Sequence, residues 1–138
     1  MAKEKKSTVK SKAFDYKTID SFIKVCEKLN VDPNAGPDVS NCIEKFKEPI
    51  KALYKTMLWY EAVNDGWVPE MGNSNQAKYY PWPWVLSSGS GFSDSDYLCD
   101  HSITAVGSFL CTKDSERALW VFEHAKDLFK IWMLGLPK

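Results

Sequence analysis

Between Lys78 and Trp84 the chain reads Lys-Tyr-Tyr-Pro-Trp-Pro-Trp, and its two prolines constrain the fold more than any other short stretch. A proline inside a helix removes a backbone donor and clashes with the preceding turn, so this segment is not helical. Pro81 and Pro83 are two apart, so in an extended chain both missing N–H groups fall on the same edge. Residues 77–86 are therefore predicted as an edge strand or a polyproline-like segment. Alternation places Tyr80, Trp82 and Trp84 on one face and Tyr79, Pro81 and Pro83 on the other. With six Trp and 14% aromatic residues, the core is expected to rest on a few large rings. The first set is accordingly predicted to pack on a helical layer, with Trp67 and Phe92 beside it. The other face is left for a partner.

Helical periodicity surrounds this segment. Ile19, Phe22, Ile23, Cys26 and Leu29 form one apolar stripe, with Thr18 or Asp20 as N-cap. Two prolines and a glycine end that helix within 30–37. A short helix is predicted over 38–46, burying Val39, Cys42, Ile43 and Phe46. A longer one is predicted over 49–64, with Pro49 in its first turn and Gly66 in a left-handed stop. Its inner side carries Ile50, Leu53, Tyr54, Met57, Leu58 and Glu61. Residues 67–76 read as a polar loop and 87–96 as a turn. Strands follow over 97–106 and 108–111. Thr112 or Asp114 caps a last helix whose stripe is Ala118, Val121, Phe122, Ala125, Leu128, Phe129 and Trp132, ended by Gly135 and Pro137. The fold class is α+β: N-terminal helices, a small antiparallel sheet of two to three strands, and a long C-terminal helix packed on it.

At 138 residues the chain has the size of one domain, assigned to 14–138. Residues 1–13 are read as a flexible basic arm, because Lys3, Lys5, Lys6, Lys10 and Lys12 face a single acid, Glu4. The total charge is zero, which argues against a dedicated duplex-DNA binder. The four Cys are scattered without a C-x-x-C pair and are expected to be reduced and largely buried. No secretory h-region and no membrane-length apolar run is visible.

Each chemical motif competes with a plainer reading. Cys99 and His101 fall on one face of a strand, the arrangement a thiol nucleophile and its base would need. They lack the local signature of any cysteine-nucleophile family, and no catalytic residue is assigned. Cys99, His101 and Cys111 could meet around zinc, but the paired ligand spacing of structural sites is missing. Asp94, Asp96 and Asp100 suggest calcium, yet the sixth and twelfth positions of such a loop are Cys99 and Ala105 instead of Gly and Glu. Ser88-Gly89-Ser90-Gly91 leads to Phe92 and not into a helix, as a phosphate loop would. Lys113 at the last helix start is a weak anion signal shared by any helix start. No metal and no cofactor is expected.

The stretches "YEAVNDGWVPEMGNSNQAKYYPWPWVLSSGSGFSDSDY" and "AVGSFLCTKDSERALWVFEHAKDLFKIW" carry several elements in order. With these the chain resembles a group of small uncharacterised proteins of tailed bacteriophages and prophages of gut bacteria, which share N-D/E-G-W-x-P, K-Y-Y-P-W, Gly-Phe-Ser and V-G-S-x-L-C-x-K. The resemblance spans roughly 14–132. It departs at Phe109, where the family has a basic residue, at Thr112, where it has an aromatic, and near Trp84, where it has one aromatic. A phosphate held by that basic residue would have no counterpart here. The resemblance implies a phage origin and one compact domain. With no secretory signal and reduced cysteines, the expected place is the host cytoplasm or the virion. It supplies no activity. The expected function is non-enzymatic, through contacts with other phage or host proteins, self-association included, and no membrane. The candidate contact residues are Tyr79, Tyr80, Trp82, Trp84 and Phe92. The alternative is single-stranded nucleic acid stacked on the same rings and held by the lysine arm.

Overall fold

The computed structural model describes residues 12–101 and 106–137. Four helices and a two-stranded antiparallel hairpin follow in the order α1 (Phe22–Leu29), α2 (Glu44–Asn64), β1 (Lys78–Val85), β2 (Phe92–Asp100), α3 (Ser115–His124) and α4 (Lys126–Leu134). The chain is α+β, as its pattern predicted. The basic arm lies outside the described residues apart from Lys12 and Ala13.

The first helix begins later than its apolar stripe suggested. Neither Thr18 nor Asp20 caps it; Ser21 does, its Oγ accepting from the Lys24 N–H at 3.3 Å. Tyr16–Thr18 form a single 3-10 turn started by Asp15. The Ile19 carbonyl accepts from the Trp120 indole N–H at 2.8 Å, which commits that stretch to α3 instead of a helical ladder. At the other end Asn30 adopts the left-handed conformation (φ 53°) and closes α1.

The predicted helix over 38–46 does not form. The Asp38 carboxylate accepts from the Ser40 N–H at 2.9 Å, and such local side-chain bonding competes with helix. Val39 is buried, but Ile43 is 64% and Phe46 46% exposed, against the expected burial. Helix α2 instead reaches back to Glu44, so Pro49 stands inside it and not at its start. The added turns are strong helix formers held by ion pairs from Lys47 to Glu44 and from Lys51 to Glu48. Its buried side is Ala52, Thr56, Trp59, Tyr60, Ala62, Val63 and Asn64, while Ile50 and Glu61 face outward. Asp65 (φ 46°) and Gly66 (φ 82°) both take the left-handed conformation that stops the helix.

The long C-terminal helix is broken in two. Ala125 leaves helical geometry (φ −110°, ψ 17°) between α3 and α4. His124 Nδ1 lies 2.9 Å from the Trp120 carbonyl, which can only accept, so this nitrogen carries the hydrogen and caps a terminal carbonyl of α3. The imidazole also stacks on the Trp120 indole, with ring centroids 4.0 Å apart. Asp114 caps the start of α3, and Gly135 (φ 67°) ends α4, both as predicted.

The core lies among the helices: Ile19, Val25, Trp59, Tyr60, Ala62, Val63, Val121, Phe122, Ala125 and Phe129 pack into one cluster. Several polar groups at its margin are paired, although the buried Asn64 Oδ1 has no hydrogen-bond partner among the described residues. The Trp132 indole N–H donates to Thr56 Oγ1 at 3.0 Å, and Asn64 Nδ2 donates to the Cys111 carbonyl at 2.9 Å.

Three groups near this core set a pH limit. Burial pushes the Cys111 thiol up to about 11 and the Tyr80 phenol up to about 12, and raises the Tyr60 phenol too. A group whose folded pKa exceeds its unfolded value favours the fold below the unfolded pKa and loses that contribution as pH rises through the folded one. Thermal melts should therefore hold steady below pH 9 and fall progressively from pH 9 to 12. A Tm unchanged to pH 11 would contradict this.

Candidate interaction surface on the hairpin

The hairpin register pairs Lys78 with Asp100, Tyr80 with Leu98, Trp82 with Asp96 and Trp84 with Asp94; the intervening pairs are Tyr79 with Cys99, Pro81 with Tyr97 and Pro83 with Ser95. A bulge after Trp84 then sets Val85 opposite Phe92. The strand resumes at Phe92, within the stretch predicted as turn, because Leu86 to Gly91 alone closes the loop. There the Leu86 N–H donates to the Gly91 carbonyl at 2.9 Å, and Gly89 (φ 71°) donates to the Leu86 carbonyl at 2.8 Å. Strand β2 ends at Asp100, and residues 102–105 of the predicted strand over 97–106 lie outside the described residues. The predicted strand over 108–111 does not form; just after it, Thr112 makes an isolated bridge to Tyr79.

Burial falls steeply along β1. Lys78, Tyr80 and Pro81 are buried at the base, whereas Trp82 is 47% and Trp84 59% exposed. The prediction that Tyr80, Trp82 and Trp84 pack together as core is thus wrong for the two indoles. The reason lies in which ring the helices meet. The helix packed on both strands is α3, and at the outer end of the hairpin it is Phe92 of β2, set opposite Val85, that reaches Phe122 of α3. The two indoles are left to solvent.

Of the five candidate contact residues, Tyr80 is buried, Tyr79 and Phe92 are half-buried, and Trp82 and Trp84 are exposed. Phe92 packs edge-on against Phe122 of α3, with centroids 5.1 Å apart, and Tyr79 sits 5.9 Å from Tyr97. Trp67 is half-buried in its own loop. The sequence reading missed Val85, Leu86, Tyr97 and Leu98, all exposed on the hairpin. As apolar residues in adjacent pairs they read like buried strand residues.

Both edges of the hairpin are blunted against further strands. Tyr79 directs its N–H and C=O away from β2, exchanging bonds of 2.9 and 2.8 Å with Thr112. By alternation Pro81 and Pro83 also face outward, so their missing donors cost no ladder bonds and blunt that edge. On β2 the outward N–H groups of Ser95 and Tyr97 donate to the carboxylates of Asp94 and Asp96, each at 2.8 Å. The accessible feature is the indole face, with a carboxylate opposite each ring.

At the base, Lys78 is 1% exposed and donates from Nζ to the carbonyls of Asn73 at 2.9 Å and His101 at 2.5 Å. It ties the 67–76 loop to the end of β2.

The chemical candidates do not converge. Cys99 and His101 are both exposed, and Cys111 is buried under Asn64. Among the described residues no group of three or more His, Cys, Asp or Glu side chains could hold a metal ion. Cys26 and Cys111 are buried as predicted, but Cys42 is half-buried and Cys99 exposed, and all four are free thiols. A disulfide-exchange reagent should therefore modify Cys99 first, and Cys26 and Cys111 only at the rate of unfolding. Equal rates at all four would contradict this placement. Phe109, which stands where the resembling proteins have a basic residue, is 68% exposed beside Trp67, Val68 and Met71.

No family model, no curated protein and no solved structure matches the chain significantly. Among the described residues no helix is long and apolar enough to cross a membrane.

Proposed function

We propose that this is a non-enzymatic, phage-encoded protein that works through protein–protein contacts, in the virion or as an accessory factor in the host cytoplasm. Its contact surface is the outer half of the hairpin. One observation carries the reading: Trp82 and Trp84 stand exposed on one face of β1, with Asp96 and Asp94 opposite. Tryptophan is a favoured interface anchor, because a rigid ring gains large contact area at small entropic cost. The blunted edges favour a partner that sits on the face over one that extends the sheet. The order of the Asn-Asp-Gly-Trp, Lys-Tyr-Tyr-Pro-Trp and Val-Gly-Ser elements supports the phage origin.

The same rings could stack on bases, and a lysine arm could meet phosphates. However, the carboxylates opposite both indoles repel a phosphate backbone, and no Lys or Arg occurs from 79 to 112. The test compares wild-type protein with a Trp82→Ala/Trp84→Ala variant as bait in infected cells, beside an oligonucleotide titration at two salt concentrations. The reading expects a defined protein partner retained by wild type and lost by the variant, with no salt-dependent oligonucleotide binding. Equal capture by both proteins, or tight oligonucleotide binding, would refute it.

A further inference from the structure

We propose that the lysine-rich residues 1–12 fold back onto the indole face of their own chain and compete there with the partner. This rests on the reading of that face as the contact surface. Three observations lead to it. First, the face has the sign that attracts lysine. Asp94 and Asp96 flank the exposed rings, and among the described residues neither is ion-paired to a Lys or Arg. An indole face also attracts an ammonium group directly, through its ring quadrupole.

Second, charge is segregated along the chain. The 34 residues from 79 to 112 contain three Asp and no Lys or Arg, whereas residues 1–12 contain five Lys and one Glu. A positive segment and a negative, ring-bearing surface on one chain are complementary.

Third, the described chain starts close to the helix that packs on both strands. The described chain begins at Lys12 and is anchored at once: the Lys28 ammonium lies 4.3 Å from the Phe14 ring centroid, and Tyr16 packs edge-on against Trp120 at 5.8 Å. Trp120 belongs to α3, the helix that carries both strands. Eleven residues can extend about 37 Å, more than the length of β1 at about 26 Å. A tether of that length holds the segment near the face at millimolar effective concentration.

The test uses the full chain with Lys3, Lys5, Lys6, Lys10 and Lys12 replaced together by Ser, and reads acrylamide quenching of tryptophan fluorescence. For wild type, quenching should rise severalfold between 20 and 500 mM NaCl, the same at every protein concentration. The serine variant should be highly quenchable at both salts. A synthetic peptide of residues 1–13 should protect it at low salt, with at least tenfold weaker binding once Asp94→Asn and Asp96→Asn are added. A Trp82→Phe/Trp84→Phe variant should show no salt dependence. Partner capture should be stronger for the serine variant than for wild type. Salt-independent quenching of wild type, or no protection by the peptide, would overturn the proposal. Protection that grows with protein concentration would also overturn it, since the contact would then join two copies. Equal partner capture by wild type and the serine variant, with capture still lost on Trp82→Ala/Trp84→Ala, would remove the fold-back and leave the contact surface standing.

Discussion

Replacing Trp59 by Ala should lower the unfolding free energy by about 3–5 kcal/mol, whereas Trp84→Ala should change it by less than about 1 kcal/mol. The two residues are the same type and differ in what surrounds them. Trp59 is 2% exposed in the central cluster, between α2 and the break after His124, whose ring lies 6.2 Å away. Truncation there forfeits the transfer free energy of the indole and leaves a cavity that packed neighbours fill only in part. Trp84 is 59% exposed, so truncation leaves no cavity. Denaturant titrations of the two variants, with equal slopes confirming two-state unfolding, give the comparison directly. A Trp84→Ala loss as large as that of Trp59→Ala would mean that the hairpin rings are core.

The second large effect is expected at Lys78. Lys78→Ala should destabilise by about 3–5 kcal/mol, since it deletes a buried side chain and strips donors from two carbonyls at once. Lys78→Met keeps most of the packing and should recover part of that loss. The remainder, about 1–3 kcal/mol per orphaned carbonyl, belongs to the hydrogen bonds. The damage should be local in origin. Because Nζ links the carbonyls of Asn73 and His101, amide exchange should accelerate first in the 67–76 loop and at the end of β2. Lys78→Met with wild-type stability would show that the ammonium contributes nothing to this junction.

What could be read from the sequence was whatever depended on neighbours in the chain. Asp114, Gly66 and Gly135 announced helix ends because capping and left-handed stops are local chemistry. The prolines announced an edge because their missing donors belong to their own backbone. The features that could not be read depended on distant partners. Nothing in the residues around Ala125 requires a helix break, and the cap that His124 places on Trp120 competes only once the chain has turned. The period of two identified which rings share a face, yet which ring the folded helices meet is a tertiary matter: Phe92 reaches Phe122, and the indoles do not. Asp94 and Asp96 were visible as acids. Their place opposite Trp84 and Trp82 follows from the register and from a bulge that no composition specifies.

The central claim is that this exposed indole face is where the protein meets another protein. A photo-crosslinking amino acid placed at position 84 and activated in infected cells tests it most directly. The account expects one or a few discrete protein adducts of defined mass, with no adduct when the crosslinker is moved to position 59 in the core. Adducts to nucleic acid alone, or none at position 84 under conditions where the protein is abundant, would contradict it.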